Sequence, residues 1–175
     1  MDLSIFKKQM EEAGVQLTHY GMMVRDQEAT MAGMDWLPCF SDWKGKREIV
    51  WELDEIVVGA PNILKVVRKF IDGYPSLEVV QPVAEACKGS YFETMFDEER
   101  EGLHHLCYDC PDKETFDAML HMAVANGCEV VVHARGHQLK GTPDAYPCEF
   151  CYVRTPKGKL YIELVVCGPK PPWLV

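Results

Sequence analysis

The stretch Gly102-Leu103-His104-His105-Leu106-Cys107-Tyr108-Asp109 reads as a buried strand that carries a histidine. An imidazole in such a strand has to be held by a hydrogen bond, a charge or a metal ion. Leu17-Thr18-His19-Tyr20-Gly21-Met22-Met23-Val24 reads as a second copy. Setting residue n against n+86 brings Leu17 onto Leu103, His19 onto His105, Asp26 onto Asp112, Glu28 onto Glu114 and Ala32 onto Ala118. Near the end of each half the offset becomes 85, and Glu78 in Leu77-Glu78-Val79 meets Glu163 in Ile162-Glu163-Leu164. The matches fall where a repeat would need them: on a strand histidine, on a helix cap and on a glutamate flanked by apolar residues.

Outward from these strands, each half is expected to run β-α-β-β-β. In the first half, Leu3 to Ala13 has helical spacing and Gly14 ends it. A strand is expected at 16–24, a helix at 27–34 behind Asp26, a loop at 39–47 and one or two strand pieces over 48–58. A helix is expected at 62–70, where Ile63, Val66, Val67 and Phe70 share one side, and a strand at 77–82. The second half opens with a strand at 103–109. A helix follows at 112–125, with Phe116, Met119, Leu120 and Ala123 on one face. A strand at 128–132, a polar loop at 133–147, and a hairpin of 150–154 with 159–166 complete it. The organisation is an N-terminal helix (1–14), a first module (15–83), a linker (84–101), a second module (102–168) and a tail (169–175).

Composition narrows the function. The chain has 175 residues, 47% of them hydrophobic and 26% charged, which is ordinary for a globular protein. A formal charge of −9 argues against a nucleic-acid partner, because phosphates need a basic surface. No stretch approaches the roughly 20 apolar residues of a membrane helix. The charged, amphipathic N-terminus does not read as a signal peptide, and eight cysteines without one suggest reduced thiols in a cytoplasm.

Strand alternation puts Leu17, Gly21 and Met23 on the face of His19, and Leu103 and Cys107 on the face of His105, with His104 turned away. A carboxylate on an apolar face is costly unless it is paired or bound to a metal. A lone strand histidine is more often a hydrogen-bonded core residue, and a lone strand glutamate more often faces solvent. Duplication of both at matching separation favours a divalent ion held by His19, Glu78, His105 and Glu163. Imidazole with carboxylate suits Zn, Ni, Co, Mn or Fe(II). The pairs Cys107/Cys110 and Cys148/Cys151 have zinc-knuckle spacing, but residues i and i+3 of a strand point to opposite faces. His133 and His137 read as ordinary loop residues.

These residues resemble the vicinal oxygen chelate superfamily of glyoxalases, bleomycin-resistance proteins, methylmalonyl-CoA epimerases and extradiol dioxygenases. The resemblance covers about residues 16–167. It is strongest in Gly102-Leu103-His104-His105-Leu106 with Asp112, in Leu77-Glu78-Val79-Val80-Gln81-Pro82, and in Thr155-Pro156-Lys157-Gly158 with Tyr161-Ile162-Glu163-Leu164. The epimerase branch is the most similar. The resemblance implies an α+β fold of two paired βαβββ modules, a cupped mixed sheet around the metal with helices outside, and a homodimer. It carries the ligand positions over as His19, Glu78, His105 and Glu163. It also marks Glu55, in Glu55-Ile56-Val57-Val58-Gly59-Ala60-Pro61, as an acid/base carboxylate beside Glu163.

The activity implied is abstraction of a proton α to a carbonyl through a metal-stabilised enediolate, on a small carbonyl compound or an acyl-CoA. The enzyme would be an epimerase, an isomerase or a glyoxalase-type lyase. An Fe(II) dioxygenase is the first alternative, although such sites normally use two histidines and one carboxylate. A metal-free binding protein of the resistance kind is the second, and it would have no need of four ligands.

Overall fold

The computed structural model describes residues 8, 10–34, 49–50, 53–59, 64–69, 75–89, 101–138, 141–156 and 161–171. Lys8 and residues 10–12 are helical and residues 13–14 form a turn; residues 1–7 and 9 of the expected N-terminal helix, the 39–47 loop and residues 90–100 lie outside the described residues. The elements are β1 (Gln16–Met23), α1 (Gln27–Met34), β2 (Ile49–Val50), β3 (Leu53–Val58), β4 (Leu64–Lys69), β5 (Ser76–Pro82), a 3-10 turn (Ala84–Cys87), β6 (Gly102–Cys110), α2 (Lys113–Ala125), β7 (Glu129–Gln138), β8 (Tyr146–Arg154) and β9 (Tyr161–Cys167).

Among the described residues the strands form one mixed sheet in the order β2-β4-β5-β1-β6-β9-β8-β7-β3. Read outward from the centre, the two halves repeat one another. β1 pairs parallel with β5, β5 antiparallel with β4, and β4 antiparallel with β2. Likewise β6 pairs parallel with β9, β9 antiparallel with β8, and β8 antiparallel with β7. The halves join through the antiparallel pair β1/β6. This is the mixed α+β fold expected of the vicinal oxygen chelate pattern.

The sheet also has to curl. β2 and β3 stand at opposite ends of the strand order. Val50 and Leu53 are nevertheless three residues apart in the chain, a reach of at most about 11 Å. β3 thereby carries the first half across to the far edge of the second, where it pairs with β7.

One face of the sheet is covered by helix. In α2, Asp112 caps the N-terminus by accepting from the Thr115 amide at 2.7 Å. Phe116 and Met119 pack with Cys110, Cys151, Val153 and Leu164. Met23, Val80, Cys107, Cys148, Phe150, Tyr152 and Val165 belong to a second core cluster on the other face. Cys107 and Cys110 therefore fall in different cores, as do Cys148 and Cys151, and neither C-x-x-C pair converges on one point.

Two expectations from sequence give way. Of the helix expected at 62–70, the described residues 64–69 are the strand β4, paired in register with β5 through Val66↔Val80 and Val67↔Val79. Two adjacent β-branched residues favour a pleated strand over a helix, and β5 supplies the ladder. The polar loop expected at 133–147 is mostly strand: β7 runs to Gln138 and β8 begins at Tyr146. Its polar residues sit in an alternating pattern, with Ala134, Gly136 and Gln138 buried and Arg135 and His137 exposed.

Phe116 is fully buried between α2 and the sheet. Phe116→Ala should cost about 3–5 kcal/mol, measured by urea unfolding, with no loss of any metal bound on the opposite face.

Candidate metal centre

The four central strands each contribute one donor. Gly21 stands beside Glu78 on β5 and beside His105 on β6, so Glu78, Gly21 and His105 form one row across the sheet. His19 stands beside Cys107, which stands beside Glu163 on β9, forming the next row. The two rows are related by the repeat: histidine and glutamate flank Gly21 in one and Cys107 in the other. Small residues between the donors leave the rings room. A Cβ on Gly21 would lie 1.8 Å from Cε1 of His105, so this imidazole rests directly over the glycine backbone.

His19, Glu78, His105 and Glu163 are all buried, and one donor atom from each lies within 4.8 Å of every other. His19 Nε2 is 3.3 Å from His105 Nε2. It is 3.2 Å from Oε2 of Glu78 and 3.2 Å from Oε2 of Glu163. His105 Nε2 is 3.4 Å and 3.3 Å from the same two oxygens. The donors of a tetrahedral site with bonds of about 2.0–2.1 Å stand about 3.3–3.4 Å apart. Oε2 of Glu163 is fully buried with no hydrogen-bond partner among the described residues, which is a costly state unless a cation faces it. The residues present therefore fit a divalent ion, and this buried His/Glu cluster could hold one.

The electrostatics agree with a site built for positive charge. Burial alone would lower the proton affinity of His105, but the Glu163 and Glu78 carboxylates outweigh it and raise its pKa to about 9. Burial would raise Glu163, yet the His105 and His19 rings hold it at about 2. Tyr152 stands with its ring 5.0 Å from that of His105. Burial first, then the charges of Glu163 and Glu78, push its phenol well above the ordinary range.

Two residues near the cluster are not expected there from sequence. Tyr152 carries no sequence signal beyond lying in a strand. Alternation places His104 on the opposite face, but the β1/β6 register shifts between Gly21↔His105 and Met22↔Leu103, leaving His104 at a bulge. Both histidines are buried, and Leu103, expected beside His105, is 60% exposed instead.

Glu55 is not brought to the cluster. Its side chain is 56% exposed and accepts from Nη1 of Arg135 at 2.9 Å. Arg135 also pairs with Glu149, as do His133 and Lys113 at the start of α2, so this network lies on the helix side of the sheet. His137 pairs with Asp54 at 2.6 Å.

Comparison with known proteins agrees with this architecture. The profile of the glyoxalase/bleomycin resistance protein/dioxygenase superfamily matches residues 18–152. No curated protein sequence matches the chain. Among solved structures, a hypothetical protein from Bacillus halodurans superposes with a TM-score of 0.52 at 12% identity, covering 90% of this chain and 97% of its own. A variant of Streptomyces coelicolor methylmalonyl-CoA epimerase, in complex with 2-nitronate-propionyl-CoA, gives 0.50 at 16% identity, covering 86% and 96%. A variant of 4-hydroxymandelate synthase from Streptomyces coelicolor gives 0.51 at 10% identity, covering 90% of this chain and 50% of that one. At these identities the likeness is one of fold. The chain belongs to the glyoxalase/bleomycin resistance protein/dioxygenase superfamily.

Elemental analysis of purified protein should find close to one transition-metal ion per chain, and His105→Ala and Glu163→Gln should each lose it while staying folded. Gly21→Ala should also lose it, because its Cβ displaces the His105 ring, at a stability cost of about 1–3 kcal/mol by thermal melting. Metal kept by both ligand variants would rule out this centre.

Proposed function

We propose that this superfamily member is a divalent-metal-dependent enzyme that removes a proton from the carbon α to a carbonyl, as an epimerase, an isomerase or a glyoxalase-type lyase. The observation that carries the reading is the buried quartet His19, Glu78, His105 and Glu163 with its converging donor atoms. These residues would hold a transition metal, with Zn, Ni, Co, Mn and Fe all compatible with imidazole and carboxylate. When bound, such an ion supplies Lewis acidity toward adjacent substrate oxygens and eases departure of the α-proton.

The protein's own groups do the rest. Glu163 is ionised at neutral pH, held so by the two histidines, and is the carboxylate to which the reading assigns the moving proton. Tyr152 stays protonated beside it, its ring packed edge-on against that of Phe150. Glu55 is the candidate for a second acid/base carboxylate, which an epimerase needs in order to return the proton on the opposite face. In this structure it lies on the helix side of the sheet, paired with Arg135, so that role requires β3 to release Arg135 and turn Glu55 toward the face that carries the quartet.

The substrate is proposed to be a small carbonyl compound or an acyl-CoA. The likeness to a methylmalonyl-CoA epimerase in complex with an acyl-CoA supports the second at the level of fold. The enzyme is proposed to act as a cytoplasmic homodimer. A second reading, oxygenation at Fe(II), draws on the likeness to 4-hydroxymandelate synthase. Four protein donors favour the first, since Fe(II) oxygenases commonly use two histidines and one carboxylate.

Metal-loaded protein in deuterium oxide should label the α-carbon of a compound from a panel of 2-oxo acids, 2-hydroxy acids and acyl-CoA thioesters, read by mass spectrometry. Glu163→Gln, which loses the ion together with the carboxylate, should slow exchange by at least about 10²–10⁴-fold. Glu55→Gln should leave exchange in place and abolish only interconversion of stereoisomers. Oxygen consumption by the Fe(II) form, with no exchange into any compound, would overturn the proposal in favour of the dioxygenase.

A further inference from the structure

The bulge in β6 does more than bury a second histidine. It sets Nδ1 of His104 3.0 Å from Nδ1 of His105. Two ring nitrogens at that distance need one hydrogen between them, so one is the donor and the other is bare. The rest of the cluster decides which. Nε2 of His105 is the nitrogen that faces His19, Glu78 and Glu163, at 3.3, 3.4 and 3.3 Å. A metal ion held there would take the Nε2 lone pair and leave the ring hydrogen on Nδ1. His105 would then donate through Nδ1, and Nδ1 of His104 is the acceptor.

The acceptor is itself fixed in place. The His104 ring stacks on Tyr161, with centroids 4.6 Å apart and planes 15° apart. It meets the His105 ring edge-on at 5.3 Å and 84°. His104 is 5% exposed, so no bulk water competes for the His105 hydrogen. Metal-bound histidines usually give their second N–H to a carboxylate, a carbonyl or a water, and that bond orients the ring. Here the neighbouring residue in the same strand occupies that place, which only the bulge permits: regular alternation would put it on the other face.

We propose that His104 is a positioning residue of the metal centre: its bare Nδ1 accepts the Nδ1–H of His105 and aims the His105 Nε2 lone pair at the point shared by the four donors. The inference rests on the metal reading proposed above.

Two measurements test it on the full chain. Long-range proton–nitrogen spectra of imidazole-labelled protein loaded with Zn²⁺ should show His104 with its hydrogen on Nε2. A His104 hydrogen on Nδ1 would overturn the proposal. Zinc affinity, by competition with a chromogenic chelator, should fall by about 10–100-fold in His104→Phe. It should stay near wild type in His104→Asn, whose side-chain oxygen can take the place of Nδ1, with melting temperatures showing both variants folded. Wild-type affinity in His104→Phe, or equal loss in both variants, would overturn the positioning role. If the wild type bound no divalent ion, the metal reading would fail and this inference with it, whereas metal bound by the wild type and held equally well by His104→Phe would overturn the positioning role alone.

Discussion

Two buried glutamates facing two buried histidines set the terms for everything around them. With neutral imidazoles the cluster carries two negative charges away from water, and neither burial nor hydrogen bonding alone settles that cost. Oε2 of Glu163 has no hydrogen-bond partner among the described residues, and the five donor separations of 3.2–3.4 Å suit ligands of one ion better than a chain of hydrogen bonds. The rest of the sheet is arranged so that these four groups meet.

That arrangement follows from duplication. A β-α-β-β-β unit that pairs its first strand parallel with its last places a histidine and a glutamate on neighbouring strands. Joining two such units through their first strands brings the four carriers together at the centre of one sheet, in two adjacent rows. The return of β3 to the outer edge of the second unit obliges the sheet to curl, which gives the centre walls. Gly21 and Cys107 occupy equivalent places between the donors. Small side chains there are a steric requirement, since even a methyl group at Gly21 would collide with the His105 ring.

The opposite face has its own electrostatic centre. Glu149 is buried and receives His133 and Lys113 on one oxygen and Arg135 on the other, tying the first turn of α2 to β7 and β8. Burial opposes its ionisation, and the hydrogen bonds from His133, Arg135 and Lys113 together hold its pKa below the ordinary value. Glu55 belongs to this network through Arg135. The two faces thus use similar residues for different ends: Glu149 and Glu55 on the helix side have fixed basic partners, while on the other face Glu163 keeps an oxygen without a hydrogen bond among the described residues.

The sequence by itself determined the repeat, the α+β class and the four residues that meet at the centre, because period-two burial and a duplicated His…Glu spacing are local properties written along the strands. Helix α2 was legible for the same reason, from a capping aspartate and an apolar stripe at helical spacing. What only the tertiary structure decided depends on partners distant in the chain. Residues 64–69 have an apolar spacing that suits a helix, and it is pairing with β5 that makes them a strand. The polar residues of β7 look like a loop until β3 and β8 ladder on either side of it. His104 follows alternation on paper, and only the register slip against β1 turns it toward His105. Glu55 shows its partner only once β3 has crossed to β7, since an exposed strand carboxylate takes its role from whichever charge folding brings within reach.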